Sequence, residues 1–203
     1  LPNERSGEMY AEKNDWEKTI RDEFSKYLKP NFNAIDIGAH IGYHTVAFSQ
    51  MCQNGTVFCY EPNIKLLPFL KNNITNNGCK NVVISPFAVS DSIGEAYFDN
   101  NENYFLNGIK KEDTGTKVQT ITLDAILDEL PTISLIKIDT EGHELEVLRG
   151  AKNLLQRDKP VLFIEIWRHN YIPYIKYLSE IGYSVYMIDE KNFVATYTKL
   201  NQQ

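Results

Sequence analysis

Short runs of β-branched and aromatic residues alternate with helix-length amphipathic stretches along most of this 203-residue chain. A strand followed by a crossover helix and a further strand is typical of a parallel sheet, so the alternation predicts a doubly wound α/β fold. The stretches at 43–51, 63–76 and 142–156 are predicted to be helices. The runs predicted to form the strands are 33–37, 56–61, 82–87, 134–139 and 160–166.

The ends of the chain add further elements. An amphipathic segment at about 12–28, which Pro30 ends, predicts a helical region within about residues 1–30. Near the other terminus, runs at 184–188 and 193–197 flank a polar turn and predict an antiparallel hairpin that completes the sheet. The total length suits one domain over residues 1–203.

One connection is longer than the alternation requires. Residues 94–123 are rich in Asn, Gly, Lys and Asp, and we expect them to form an inserted β-hairpin or flap over one sheet edge. Elaborations of this kind often face a substrate.

Composition limits the partners and the compartment. The 27 acidic residues exceed the 21 basic ones, and the net charge of -6 opposes loose binding to phosphate backbones or anionic lipid. No apolar stretch reaches the roughly 20 residues of a membrane span, and the N-terminus lacks a signal-like apolar centre. We therefore expect a cytoplasmic protein with neither a nucleic acid nor a membrane as partner. Three cysteines without a Cys-x-x-Cys pair argue against a disulfide framework and a zinc site. Oligomeric state does not follow from these data.

The loop after the first predicted strand carries two glycines, Gly38 and Gly42. It does not match the dinucleotide fingerprint Gly-x-Gly-x-x-Gly, since His40 and Tyr43 occupy the second and third glycine positions. With Asp36 two residues before the first glycine, it matches instead the acidic loop of S-adenosylmethionine-dependent methyltransferases, His40 replacing the middle glycine. The alternative is a strand-to-helix turn whose glycines serve packing.

An acidic residue ends the second predicted strand. Glu61 lies about 20 residues beyond the loop, the spacing expected of an acid that hydrogen-bonds the ribose hydroxyls of a nucleoside ligand. Asn63 then opens the next helix, and Glu61 could alternatively serve that helix dipole. After the third strand, the backbone of Ala88 and the side chains of Ser90 or Asp91 could reach an adenine, although turn chemistry explains Ser-Asp equally well.

Polar residues at the end of the fourth predicted strand are unusual in an apolar run. Lys137 and Asp139 share one face of the strand, and Glu141 and His143 follow at a helix start. A hydroxyl is a poor nucleophile until a base removes its proton or a metal polarises it. Together with Glu165, at the end of the fifth strand, these residues are candidates for that task.

Each candidate also has a structural, non-catalytic interpretation. Asp139 could be a solvated strand terminus, Glu141 a charge partner of the helix N-terminus, and His143 an exposed first-turn residue. Glu144 and Glu146 are expected to be solvated. Lys137 is expected to pair with Asp124, Asp139 or Glu165. The oxygens of Asp139, Glu141 and Glu165 suit magnesium, manganese or calcium, so a divalent cation is a possible cofactor.

Taken in order, these motifs resemble those of the FkbM family of S-adenosylmethionine-dependent methyltransferases. The resemblance implies a Rossmann-like class I methyltransferase fold with a seven-stranded, mostly parallel sheet, and O-methylation of hydroxyls on sugars, polyketides or other natural products. It places Asp139, Glu141 and His143 beside the acceptor, and a cofactor against Asp36, Gly38, Gly42, Glu61 and Ala88. The family commonly carries Asn where this chain has His40. His40 and Asn63, which lie in the same two motifs, are further candidates for the cofactor site. The runs that carry it are 36–45, 60–63, 88–91, 122–124 and 136–144.

The sequence thus predicts an S-adenosylmethionine-dependent O-methyltransferase that acts on a hydroxyl of a small molecule or glycan. The main alternative is a non-catalytic nucleotide-binding or scaffold protein with the same fold. A nicotinamide-dependent oxidoreductase is disfavoured by His40 and Tyr43.

Overall fold

The computed structural model describes residues 16–98, 108–110, 115–166 and 171–198. Seven strands form the main sheet in the order β10-β11-β9-β8-β1-β2-β3. All neighbours pair in parallel except β11, which runs antiparallel to both β9 and β10. The strands are β1 (Ala34–Ile37), β2 (Val57–Tyr60), β3 (Val82–Ser85), β8 (Leu135–Ile138), β9 (Val161–Glu165), β10 (Tyr183–Met187) and β11 (Asn192–Tyr197).

A second, four-stranded sheet has the order β4-β7-β5-β6. Strand β5 pairs antiparallel with both β6 and β7, so this sheet contains much of the segment predicted to be an insertion. Residues 99–107 and 111–114 of that segment lie outside the described residues. The strands are β4 (Ala88–Val89), β5 (Gly94–Phe98), β6 (Ile109–Lys110) and β7 (Thr116–Ile121).

Helices connect the parallel strands, as the alternation predicts. A short 3-10 helix at Leu123–Glu129 precedes β8. The α-helices are α1 (Trp16–Tyr27), α2 (Tyr43–Met51), α3 (Leu67–Asn76), α4 (Glu144–Arg149), α5 (Lys152–Asp158) and α6 (Ile172–Glu180). No helix in the described ranges combines the length and the apolar character that a membrane crossing requires.

The predicted α/β fold with a mostly parallel seven-stranded sheet and a C-terminal antiparallel pair is confirmed. The helix predicted at 142–156 is wrong in detail, because it breaks into α4 and α5. The cause is Asp124, whose two carboxylate oxygens accept the backbone N–H groups of Asn153 and Leu154 and so start a new helix there. The helix predicted from residue 63 begins only at Leu67. The single-domain organisation over 1–203 stays a prediction.

The central strands β1 and β8 are buried along their whole length, as expected of strands covered on both faces. Their register places Asp36 opposite Lys137. Because side chains alternate along a strand, these two charges share one face, whereas Ile35, Ile37 and their neighbours on β8 belong to the largest apolar core. The pairing therefore sets two opposite charges side by side within the sheet.

Candidate active site

The carboxyl ends of the parallel strands β1, β2, β8 and β9 lie along the same side of the sheet, and the chain leaves each of them in a loop. In open α/β sheets this carboxyl edge is where ligands bind. Most of the residues singled out by sequence belong to these four loops, so the topology brings them to one region. Their detailed contacts divide them into groups.

The loop after β1 turns through left-handed backbone at three positions, Gly38 (φ 78°), His40 (φ 52°) and Gly42 (φ 89°). Gly38 packs against the end of β8, since a Cβ there would lie 1.7 Å from the backbone oxygen of Asp139. A Cβ on Gly42 would lie 2.5 Å from Cδ1 of Leu70 on α3. Packing against backbone thus requires glycine at Gly38, whereas at Gly42 the left-handed φ favours glycine and the side chain of Leu70 would have to shift. A cofactor contact by the backbone of either glycine stays a prediction.

Glu61 joins the loops after β1 and β2. Its Oε2 accepts the backbone N–H of His40, and its Oε1 accepts the backbone N–H of Asn63, each at 2.8 Å. The side chain is nearly inaccessible, and burial raises its pKa to about 7 despite these two donors. Because α3 begins only at Leu67, Glu61 is not in its first turn, so the helix-dipole alternative is wrong.

Two further candidates for the cofactor side have structural partners. The Oδ1 atom of Asn63 accepts the backbone N–H of Lys65 at 3.1 Å and shapes the turn after β2. Ala88 is buried in β4 and packs with Phe98 and Val118 in the second sheet. Its side chain therefore contributes to that apolar cluster, and an adenine contact by its backbone stays a prediction.

Asp36 is fully buried beneath the first loop. Its Oδ2 accepts the hydroxyl of Thr45 on α2 at 2.5 Å, whereas its Oδ1 has no hydrogen-bond partner among the described residues. Burial raises the pKa of Asp36, and the ammonium of Lys137, 4.0 Å from Oδ1, acts in the opposite direction. Thr45 was missed by the sequence argument, although it lies one helical turn inside the motif.

Lys137 links Asp36 to the loop after β8. Its Nζ donates to Oδ2 of Asp139 at 3.0 Å. Burial alone would lower the pKa of Lys137, but Asp139 and Asp36 outweigh it and hold that pKa above its ordinary value. Of the three partners expected for Lys137, Asp139 is the one in contact, and Asp124 instead caps α5.

Glu141 and Glu165 add two more acidic groups at this edge. Glu141 has a left-handed backbone (φ 56°), and burial, together with the charges of Asp139 and Glu165, raises its pKa to about 7. Burial and Asp139 also raise the pKa of Glu165. Oε1 of Glu165 accepts a hydrogen bond from Nζ of Lys191, and the two atoms are 2.5 Å apart. Lys191 lies in the turn between β10 and β11 and was not a sequence candidate.

His143 makes different contacts. Its Nε2 lies 2.9 Å from the hydroxyl of Ser90, and its Nδ1 lies 3.8 Å from Oε2 of Glu146. These two contacts of the imidazole thus come from the end of β4 and from its own helix. A role for His143 as a base on the acceptor stays a prediction with less geometric support than the carboxylates have.

The prediction that Glu144 is solvated is wrong, because this side chain is only 1% exposed. Its Oε1 accepts three donors from the preceding loop, and its Oε2 accepts the hydroxyl of Tyr174 on α6 at 3.2 Å. Sequence spacing gave no signal for this, because α6 itself was not predicted.

The divalent cation finds no support in the structure. Within the ranges that the structure describes, no group of three His, Cys, Asp or Glu side chains is placed to hold a metal ion. Lys137 and Lys191 approach the carboxylates that a cation would have used.

A seven-stranded sheet with one antiparallel strand, and a carboxylate after β2 facing a turn after β1, defines the Rossmann-like methyltransferase class. Solved structures with the same fold include methyltransferase FkbM from Methylobacillus flagellatus, at 18% identity and a TM-score of 0.59 over 87% of this chain and 50% of that one. Another is the precorrin-6y C5,15-methyltransferase from Geobacter metallireducens, at 17% identity and a TM-score of 0.57 over 89% and 87%. A third is SMU.1697c from Streptococcus mutans, solved in complex with S-adenosylhomocysteine (SAH), at 14% identity and a TM-score of 0.55 over 88% and 94%.

The chain belongs to the FkbM methyltransferase family, because the model of the methyltransferase FkbM domain matches residues 36–185. It is also 33% identical, over 125 residues, to the hexuronic acid methyltransferase AglP of Haloferax volcanii. That match covers 60% of this chain, which spans about half the length (50%) of the relative. The resemblance noted from the motifs is thus confirmed. This membership of a methyltransferase family disfavours the scaffold and oxidoreductase alternatives.

Proposed function

We propose that this methyltransferase uses S-adenosylmethionine and methylates a hydroxyl oxygen of a sugar or other small molecule. The observation that carries the proposal is that two groups of polar residues lie at the carboxyl ends of the strands. We call them the cofactor half and the acceptor half. The cofactor half comprises residues 36–42 and 61–63, and the acceptor half comprises Lys137, residues 139–144, Glu165 and Lys191. The first offers a buried carboxylate for ribose, and the second offers several carboxylates for proton transfer.

The residues of the cofactor half suit S-adenosylmethionine chemically. This ligand presents donors and positive charge: two ribose hydroxyls, an ammonium and a sulfonium. Glu61 uses one acceptor site on each oxygen for backbone N–H groups, which leaves further acceptor capacity for hydroxyls. Asp36 keeps a buried oxygen without a hydrogen bond among the described residues. When bound, S-adenosylmethionine supplies an electrophilic methyl group on sulfur.

Glu141 is the residue we assign as general base. A base works best when its pKa lies near the working pH, and burial with two neighbouring carboxylates raises the pKa of Glu141 to about 7. Its carboxylate would accept the proton of the acceptor hydroxyl. Asp139 is held by Lys137 at 3.0 Å and would orient that hydroxyl. Lys191, bound to Glu165, offsets part of the negative charge around the base.

The charges of the acceptor half and the name of the Haloferax relative limit the chemical class of the acceptor. A hexuronic acid, the substrate class in the name of the Haloferax relative, carries both hydroxyls and a carboxylate. A carboxylate acceptor needs no base. It would also be repelled by an acceptor half in which Asp139, Glu141 and Glu165 outnumber the two lysine ammonium groups. These charges favour a hydroxyl as the methylated group.

The test is methyl transfer from isotope-labelled S-adenosylmethionine to hexuronic acids, their neutral parent sugars and glycans that contain them. We expect SAH release together with a labelled product that survives mild alkali, because a methyl ether is stable there. A label lost in mild alkali would show a methyl ester and contradict the hydroxyl assignment. Calorimetry with no binding of S-adenosylmethionine or SAH would contradict the proposal as a whole.

A further inference from the structure

Glu144 is a buried carboxylate that the proposed chemistry does not use directly. Its Oε1 accepts the backbone N–H of Thr140 at 3.1 Å, the hydroxyl of Thr140 at 3.0 Å and the backbone N–H of Gly142 at 2.9 Å. Its Oε2 accepts the hydroxyl of Tyr174 at 3.2 Å. Hydrogen bonds to an ionised acceptor are about twice as strong as neutral ones, so these contacts fix the loop firmly.

The loop that Glu144 holds is the one that carries Glu141. The two N–H donors flank Glu141 on either side, at Thr140 and Gly142. The backbone is left-handed at two successive residues of this loop, Glu141 (φ 56°) and Gly142 (φ 104°). A left-handed non-glycine residue is disfavoured and persists only where surrounding contacts enforce it. Glu144 supplies those contacts, and so it sets the direction in which the Glu141 side chain leaves the backbone.

The loop is also covered from the second sheet. Gly108, just before β6, is buried, and a Cβ on it would lie 3.0 Å from the backbone oxygen of Glu141 and 3.1 Å from that of Thr140. The backbone of residues 140–141 therefore has a neighbour on that side and the Glu144 carboxylate on another. A loop enclosed in this way has few alternative positions while the hydrogen bonds to Glu144 persist.

We propose that Glu144 is a positioning residue of the acceptor half, and that Tyr174 anchors it to α6. This inference rests on the proposed function, in which Glu141 is the base. Tyr174 lies 30 residues beyond Glu144, on the helix that precedes β10. Helix α6 would thus help to determine the geometry of the base without touching the substrate.

Two tyrosines on α6 give a matched comparison. The hydroxyl of Tyr174 donates to Glu144, whereas that of Tyr177 donates to the backbone oxygen of Leu148 at 3.2 Å. Tyr174→Phe and Tyr177→Phe each remove one hydroxyl and keep the ring. We expect Tyr174→Phe to lower kcat about three- to tenfold, the scale of one hydrogen bond, with an unchanged Kd for S-adenosylmethionine. Tyr177→Phe should leave kcat unchanged, and equal losses in the two variants would overturn the proposal.

The second variant is Glu144→Gln, whose amide oxygen can keep the loop donors only as weaker, neutral hydrogen bonds and whose amide nitrogen meets the hydroxyl of Tyr174 as a donor instead of an acceptor. The groups that face Glu141 electrostatically are Asp139, Glu165, Lys191 and Glu144. Because the charge of Glu144 itself raises the pKa of Glu141, the pH profile is measured in Tyr174→Phe, which keeps that charge. A loosened loop in this variant lets Glu141 become more solvated and move from Asp139 and Glu165, which also raise its pKa. The rise of kcat with pH should then shift to lower pH as kcat falls. An unshifted profile at reduced kcat would mean a structural role only and would overturn the proposal.

Hydrogen exchange gives a readout that does not depend on activity. The amide hydrogens of Thr140 and Gly142 bond to Glu144, so we expect their exchange in folded Glu144→Gln to be roughly tenfold faster, and that of β8 to be unchanged. Wild-type exchange at both amides would overturn the proposal. If the wild-type protein transfers no methyl group to any acceptor, the proposed function fails, whereas this exchange experiment still decides whether Glu144 holds the loop.

Discussion

The cofactor half and the acceptor half lie on the same sheet edge and are built differently. In the cofactor half, a carboxylate binds backbone groups: Glu61 accepts the N–H groups of His40 and Asn63. In the acceptor half, carboxylates bind charged side chains: Asp139 pairs with Lys137, and Glu165 with Lys191. Backbone donors are present whatever the residue type, whereas an ion pair is lost when either partner is substituted.

This difference has a functional consequence. A half that relies on a packed glycine and one buried carboxylate tolerates little change at those positions and suits a ligand that stays the same. A half that relies on pairs of side chains can be altered residue by residue and can therefore adapt to different acceptors. We accordingly expect substitutions in the cofactor half to alter cofactor affinity and substitutions in the acceptor half to alter turnover.

The largest effect is expected at Gly38, where the two halves meet. A Cβ there would lie 1.7 Å from the backbone oxygen of Asp139, and the φ of 78° is itself unfavourable for alanine. Since neither backbone can move without disturbing β1 or β8, Gly38→Ala should cost more than about 4 kcal/mol of unfolding free energy or prevent folding. Urea denaturation followed by circular dichroism measures this loss.

Gly78 provides the control for Gly38. It has a similar φ of 67°, but an added Cβ would meet no atom within 4 Å. Gly78→Ala therefore tests the backbone conformation without the clash, and it should cost only about 1–2 kcal/mol. Equal losses in the two variants would show that the close packing between the halves contributes nothing to stability.

The next largest effect is expected from Asp139→Asn. The substitution removes the charge that pairs with Lys137 and that we propose orients the acceptor, so kcat should fall by on the order of 100-fold. The Kd for S-adenosylmethionine should stay within about twofold. Glu95→Gln is a suitable control, because Glu95 also pairs with a lysine, Lys117, but at an exposed position on the second sheet. A cofactor affinity that falls as much as kcat would remove the distinction between the halves.

A smaller effect is expected from Glu61→Ala. Loss of charge-assisted hydrogen bonds to ribose should raise the Kd for S-adenosylmethionine by about tenfold or more, measured by calorimetry. At saturating cofactor, kcat should be retained. Glu61→Gln, which keeps one acceptor oxygen for the backbone, guards against a folding defect. An unchanged Kd in a folded variant would remove Glu61 from the cofactor half.

The same contrast explains what could be predicted from sequence. The turn after β1 and the acid after β2 were predictable because each motif is contiguous and ends a buried strand. The pair between Glu165 and Lys191 joins residues 26 positions apart. No local pattern reveals such a contact, since it depends on β11 lying beside β9 rather than at the sheet edge.

Glu144 shows a second limit. Its helical position predicted a solvated side chain, and the error came from α6, which covers that side and was absent from the predicted elements. Likewise, the break between α4 and α5 depends on Asp124, which lies about 30 residues before the new helix. The predicted strands were correct in order. The structure trims the five parallel strands by up to two residues at an end, whereas β10 and β11 each begin one residue earlier than predicted.

The smallest effects are expected in the dependence on pH, where each half has a carboxylate with a pKa raised to about 7 by burial, Glu61 and Glu141. In the proposed function Glu61 accepts ribose hydroxyls, and a carboxylate is a better acceptor than a protonated carboxyl group. The ionised fraction of such a group rises about threefold between pH 6.5 and 7.5, so the apparent Kd for S-adenosylmethionine should fall about threefold over that interval. Glu141 accepts a proton only when ionised, so kcat at saturating cofactor should rise by about the same factor.

The variants separate these two titrations. Glu61→Gln should abolish the pH dependence of cofactor Kd and keep that of kcat, and Glu141→Gln should do the reverse while lowering kcat strongly. Calorimetry and initial rates at the same pH values provide both quantities. If one variant abolished both dependences, the two carboxylates would titrate as a single coupled group. The cofactor and acceptor halves would then have to be treated as one electrostatic unit, in which bound cofactor changes the ionisation of the base.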